Sequence, residues 1–285
     1  MTNPKADRVR RIRALATGSG RRRQGAFLVE GPQGVREAVR HAPRLVRDVY
    51  LSVEASQRHA EILDDATRHD LYVHLCSPDV IDAMSADAQG LVAVLSSDAH
   101  SLEAILEGAG DRSPRLVAAL VEARDPGNAG TVIRAADAAG ADGVVLTAGS
   151  VDVENPKVLR ASAGSAFHLP VATGARAEEL IETARAAGLQ VLAASGAGDV
   201  SLDDLAAVAS AEAAERGHHH TPQVGIDLTR PTLWLFGNEA HGLIGPVLDA
   251  ADAVVRIPIY GEAESLNLAM AATLCLYASA RAQRD

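Results

Sequence analysis

Short runs of Val, Leu, Ile and Ala recur along the chain, separated by longer stretches with helical periodicity. In the first third, AFLVEGPQGVREAVR reads as a strand, a Gly-Pro turn and a helix starting near Pro32. VRDVYLSV (46–53), LYVHLC (71–76) and GLVAVLS (90–96) have the β-branched and aliphatic character of strands. ASQRHAEILDDATRHD between the first two is an amphipathic helix, and Ser77-Pro78 opens another, with Ser77 placed to cap it. This alternation predicts a small α/β domain over residues 25–98.

Residues 99–114 read as a linker containing a short helix, and a second alternation runs over 115–285. Its strands are predicted at 116–123, 143–147, 190–195, 232–237 and 253–258, with helices at 129–139, 156–163, 176–187 and 201–209. The closing segment LNLAMAATLCLYASARAQ is a helix apolar on most of its faces, which demands burial in the core or against another subunit. Residues 210–231 break the pattern and read as a long loop. The fold class is therefore α/β in two parts, behind a basic segment at residues 1–24.

Composition narrows the setting. At 285 residues, 47% hydrophobic and 22% charged, the chain is globular and long enough for two modest cores. No apolar run approaches the roughly 20 residues that span a bilayer, and the basic N-terminus leads into no apolar signal segment. Two cysteines, Cys76 and Cys275, exclude a disulfide framework, so a cytoplasmic location with no membrane partner is expected. The net charge of −10 argues against nucleic acid until it is divided along the chain. Residues 1–25 hold eight bases and one acid, about +7, which leaves about −17 for the remainder. Arg21, Arg22 and Arg23 are thus candidate phosphate contacts, on a segment that is either an RNA-binding arm or a disordered tail. Eight aromatics in all are too few for a base-stacking platform.

Candidate chemistry collects at three predicted strand ends, where open α/β sheets bind ligands. Asp125-Pro-Gly-Asn-Ala-Gly-Thr-Val-Ile-Arg134 opens a helix. It is either an anion site with Arg134 one turn along, or a turn capped by Asn128 with Arg134 in a surface ion pair. In Leu235-Phe-Gly-Asn-Glu-Ala-His-Gly242, Gly237 would admit a ligand close to the backbone. Glu239 there is a ligand carboxylate or a helix-end acid, and His241 a titrating group or an exposed loop residue. In the third, Ile257-Pro-Ile-Tyr-Gly-Glu-Ala-Glu-Ser-Leu-Asn267, Ser265 would cap the last helix and Asn267 bond its first turn. Gly196-Ala-Gly198 supplies only part of a dinucleotide fingerprint, and His218-His219-His220 reads as exposed loop rather than a metal site.

Taken in order, Asn128-x-Gly130-x-x-x-Arg134, Gly237-Asn238-Glu239-x-x-Gly242 and Ile257-Pro258 followed by Ser265-Leu266-Asn267 resemble the three motifs of the SpoU (TrmH) family of RNA 2′-O-ribose methyltransferases. Asn155-Pro-Lys-Val-Leu-Arg-Ala-Ser-Ala-Gly164 is also similar to the family, and the FLVEGPQGVREA opening resembles its ribosomal-protein-like substrate-binding domain. The resemblance implies a trefoil-knotted SPOUT domain working as a homodimer. It implies S-adenosylmethionine held by Gly237, Ile257 and Leu266, with Leu235 and Pro258 shaping the pocket, and no metal in the reaction. Arg134 matches the catalytic arginine and would also contact RNA. Asn128, Glu239, Ser265 and Asn267 would organise the reacting groups, Glu239 being a second candidate proton acceptor. The front domain favours ribosomal RNA over tRNA, and a non-catalytic RNA-binding homologue is the alternative of another class.

Overall fold

Most of the apolar runs form strands. In the computed structural model they are β1 (Ala26–Glu30), β2 (Val46–Ser52), β3 (Val73–Cys76), β4 (Leu91–Ser96), β5 (Leu116–Leu120), β6 (Gly143–Leu146), β7 (Val171–Thr173), β8 (Gln190–Ala194), β9 (Val200–Ser201), β10 (Thr232–Phe236) and β11 (Ala253–Arg256). The structure describes residues 1–98, 100–108, 112–214 and 225–284; the His218–His220 run and residues 215–224 of the loop expected at 210–231 lie outside them. No helix among the described residues is long and apolar enough to cross a membrane.

The chain divides into two units, Met1–Asp98 with Asp152–His168, and Ala99–Val151 with Leu169–Asp285. The boundary expected near residues 98–115 is therefore not the only crossing. In the first unit, β4 lies between β1 and β2, antiparallel to both, and β3 extends the sheet parallel to β2. One face packs Phe27, Val29, Val35, Leu51 and Ile62 together with Leu159, from the helix Pro156–Ser162. That helix is the family-like stretch beginning at Asn155, whose side chain accepts from the Lys157 amide. Its Arg160 pairs with Glu30 and, at 3.0 Å, with Asp87.

The other face corrects the reading of the N-terminus. Residues 1–24 are neither an arm nor a tail, because the helices Asp7–Ala14 and Gly18–Gln24 fold onto the first unit. Val9, Ile12 and Leu15 recur at helical spacing and are buried with Leu28, Tyr50, Val80 and Met84. The dense charge around them hides that apolar stripe. Arg8 donates to Tyr50 and Asp48 at 2.6 Å.

The second unit is a seven-stranded parallel sheet, ordered β7-β6-β5-β10-β8-β11-β9. The late strand β10 sits between β5 and β8, bonded to both. Side chains alternate across it. Leu233 and Leu235 face one core with Leu180 and Ile181. Trp234 instead donates its indole N–H to Ser279 of the C-terminal helix Leu268–Ala282 at 2.9 Å. That helix lies beside Pro126–Ala139. The supposed linker is also packed, since Leu102, Ile105 and Leu106 of the helix Leu102–Leu106 join the core around Leu233. The helix expected at 201–209 extends over Leu202–Ala214.

Candidate functional site

β5 and β10 end side by side, and the loops leaving them are latched to one another. Glu122, just past β5, has φ of +53°, a left-handed conformation that costs a non-glycine residue about 1 kcal/mol or more. Its amide donates to the Thr147 hydroxyl at 3.0 Å and its carbonyl accepts from the Asn238 side chain at 2.7 Å. Asn238 is thus a latch that the motif reading left without a role.

The helix Pro126–Ala139 is capped by Asp125, which accepts from the Asn128 amide at 2.7 Å. Asn128 is the cap in one of the two sequence readings of this turn, and the structure gives that place to Asp125. The usable signal was Asp-Pro, an N-cap residue followed by proline in the first turn. Relieved of capping, the Asn128 side chain is free to bridge. Likewise the C-terminal helix is capped by Asn267 rather than Ser265, its Oδ1 accepting from the amides of Ala269 at 2.9 Å and Met270 at 3.4 Å. Ser265 lies exposed ahead of the helix and lines the cleft.

These caps fix a direction through the site. Because Asn267 Oδ1 faces the helix amides, its Nδ2 donates to Asn128 Oδ1 at 2.9 Å. Asn128 Nδ2 is then left to donate to Glu239 at 3.3 Å. Glu239 also accepts from the backbone amides of Arg124 and Asp125, both at 3.2 Å. One carboxylate and two carboxamides therefore tie the three motif loops together, with Glu239 as the terminal acceptor. Arg134 stands two turns along its helix from this chain, exposed and in no ion pair among the described residues.

The loops enclose a cleft of about 590 Å³, lined by Phe236, Gly237, Ile257, Ser265, Leu266 and Asn267 among others. Between Ile257 and Leu266 no peptide group makes a backbone hydrogen bond to a described residue. This wall consequently presents uncommitted donors and acceptors beside two apolar side chains. Two pocket expectations need correction. Leu235 is fully buried in the core and turned from the cleft by strand alternation. Pro258 lines a neighbouring hollow with Leu202, Tyr260 and Tyr277. Gly237 lines the cleft, but a Cβ there would come within 2.2 Å of the Gly242 backbone. Its smallness lets the Asn238–Gly242 turn close on itself, whatever ligand approaches. His241 is an exposed position of that turn.

Of the expected RNA contacts, Arg22 and Arg23 are exposed. Arg21 is only 4% exposed and bonds Asp152 at 2.5 and 3.0 Å and the carbonyls of Leu15 and Ala16. It is a structural cation of the first unit, with no face left for a phosphate. The Gly196-x-Gly198 segment joins β8 to the short β9, and position 201 is Ser, so the dinucleotide fingerprint stays incomplete.

Known proteins share both halves of this arrangement. Residues 115–277 match the SpoU rRNA Methylase family, and residues 28–100 match the RNA 2'-O ribose methyltransferase substrate binding family. The Bacillus subtilis 23S rRNA (guanosine(2553)-2'-O)-methyltransferase RlmP is 30% identical over 275 residues, covering 96% of each chain. The AdoMet-bound rRNA methyltransferase from Sinorhizobium meliloti superimposes with a TM-score of 0.78 at 29% identity, over 99% of this chain and 97% of its own. The SpoU methyltransferase AviRb from Streptomyces viridochromogenes, in complex with AdoMet, gives 0.77 at 30% identity over 97% and 98%. With both family regions matched and relatives aligned over nearly their full lengths, the chain belongs to the SpoU rRNA methylase family.

Proposed function

We propose that the protein transfers a methyl group from S-adenosylmethionine to a ribose 2′-hydroxyl of ribosomal RNA. The observation that carries this reading is the cleft at the end of β10, where the three motif loops are tied by the Asn267–Asn128–Glu239 chain. The cleft suits the cofactor chemically. Apolar Phe236, Ile257 and Leu266 fit an adenine ring, and the uncommitted peptide groups of 257–266 fit its polar edges and the amino-acid end. Gly237, Ile257 and Leu266 are the residues assigned to hold it. S-adenosylmethionine supplies a methyl group already activated on a cationic sulfonium, so the protein must align the ribose oxygen and manage one proton.

Arg134 is assigned to the RNA side. An exposed guanidinium with no ion-pair partner among the described residues can bind the phosphate beside the target ribose and stabilise the developing 2′-alkoxide. Acting as a literal base would require it neutral, against a pKa above roughly 12. Glu239 already accepts from two amides and a carboxamide, which suits it to hold the loops rather than receive the proton. Ser265 lies at the mouth of the same cleft, where its hydroxyl can orient the ribose.

The insertion of β10 between β5 and β8, followed by the return of the chain to β11, supports threading into a knot. The working unit is a homodimer: along the C-terminal helix, Met270, Leu274 and Tyr277 form an apolar stripe with 64%, 47% and 37% exposure in the single chain. Arg10, Arg11, Arg13, Arg22 and Arg23 are the exposed bases of the two N-terminal helices and provide phosphate contacts. A cytoplasmic location fits a ribosomal RNA substrate. Total rRNA and total tRNA incubated separately with methyl-labelled S-adenosylmethionine test the reading. Label is expected in rRNA as a 2′-O-methylated nucleotide, and labelled tRNA beside unlabelled rRNA would refute the substrate.

A further inference from the structure

One group of side chains in the first unit is used neither by its core nor by the proposed chemistry. Glu37 and His41 lie one turn apart on the helix Pro32–His41, and His168 follows the short turn Ser165–Phe167. The Nε2 atoms of both histidines approach the same oxygen, Glu37 Oε2, at 3.3 Å from His41 and 3.2 Å from His168. One ligand atom from each residue falls within 4.8 Å of the other two. The imidazole centroids are 4.5 Å apart with the rings inclined at 59°, so they converge without stacking flat.

We propose that Glu37, His41 and His168 bind a divalent transition-metal ion of the zinc class. The spacing supports this. A tetrahedral ion with bonds of about 2.0–2.1 Å separates its ligand atoms by about 3.3 Å. Both histidine-to-carboxylate distances already lie at that value, and the donor set of two imidazoles and a carboxylate suits zinc. The remaining positions are open to water because both histidines are exposed. The carboxylate is held from behind. Gly164 has φ of +99°, and a Cβ there would lie 2.3 Å from Glu37 Cγ, so only glycine lets the chain cross the Glu37 stem and deliver His168.

The ion would join the N-terminal part of the chain to the end of the 152–168 segment. Its role is therefore a staple within the first unit, independent of methyl transfer and of the function proposed above. The test is calorimetric titration of Zn²⁺ into the full-length, chelator-treated protein. One site per chain is expected, weakened at least about tenfold in His168→Gln and in Glu37→Gln. The His218→Ala/His219→Ala/His220→Ala variant controls for the histidine run, and it should retain the site. Substitution by Co²⁺ should give a ligand-field spectrum that His41→Gln abolishes. No saturable binding below millimolar Zn²⁺, equal affinity in His168→Gln, or loss of the site in the triple-alanine variant would each overturn the proposal. All three ligands are at least partly exposed, and unchanged circular dichroism will show that the variants remain folded.

Discussion

Asn267 sets the polarity of the site by spending its carbonyl oxygen on a helix cap, which leaves Glu239 as an acceptor at the end of two amides. Arg134 has no such duty. Arg134→Ala should keep S-adenosylmethionine affinity while losing methylation by about a hundredfold or more. Glu239→Gln, which turns an acceptor partly into a donor facing three donors, should lower both. Isothermal titration beside a methylation assay separates them, and equal turnover by Arg134→Ala would remove that residue from the mechanism. The motifs single out Asn128, Glu239 and Asn267, which the structure joins in one chain of hydrogen bonds, and Arg134, which stands apart from it. They could not give the division of labour, because capping depends on which side chain the folded turn leaves free. Asp125 takes the cap that one reading of the turn gave to Asn128, and Asn267 the one expected of Ser265. Leu235 falls outside the cleft for a related reason: it and Phe236 face opposite sides of β10, and because both sides are buried the apolar run does not tell which one ends at the cleft.

At the level of elements, the long apolar runs were legible because both faces of a parallel sheet are covered. Val171–Thr173 and Val200–Ser201 escaped, being too short to show any period. The N-terminal helices were hidden by their arginines. The C-terminal helix was seen to need burial, and it receives half of it. Ala272, Cys275, Leu276 and Ser279 face the sheet, where burial pushes the Cys275 thiol pKa far up, while Leu274 and its neighbours do not. Leu274→Asp places a charge in that outer stripe without touching the core. Sedimentation should find a dimer for the wild type and a monomer for the variant; a variant that stays dimeric would place the interface elsewhere.

At the scale of the molecule, the charge arithmetic changes meaning. The basic N-terminal segment is part of a folded unit, with Arg21 consumed internally by Asp152 and the exposed arginines carried on helices. Periodicity could not show that residues 152–168 belong with 1–98, because a helix of any origin has the same pattern. Removing Leu159 alone from that core is a loss of about 2–5 kcal/mol. A fragment of residues 1–98 should therefore melt well below the intact protein, and added peptide 152–168 should raise its midpoint. No shift with peptide would mean the first unit is complete without it.

That segment also imposes an order of events during synthesis. The first unit is encoded at the start of the chain, yet Leu159 and Phe167, which close its core, are translated only after β5 and β6 of the other unit. A nascent chain halted before residue 168 holds an open first core and the opening strands of a second sheet at the same time. The first unit can close only once residue 168 has been made, by which time β5 and β6 of the second are already waiting, so its completion is delayed past the point usual for the leading unit of tandem domains.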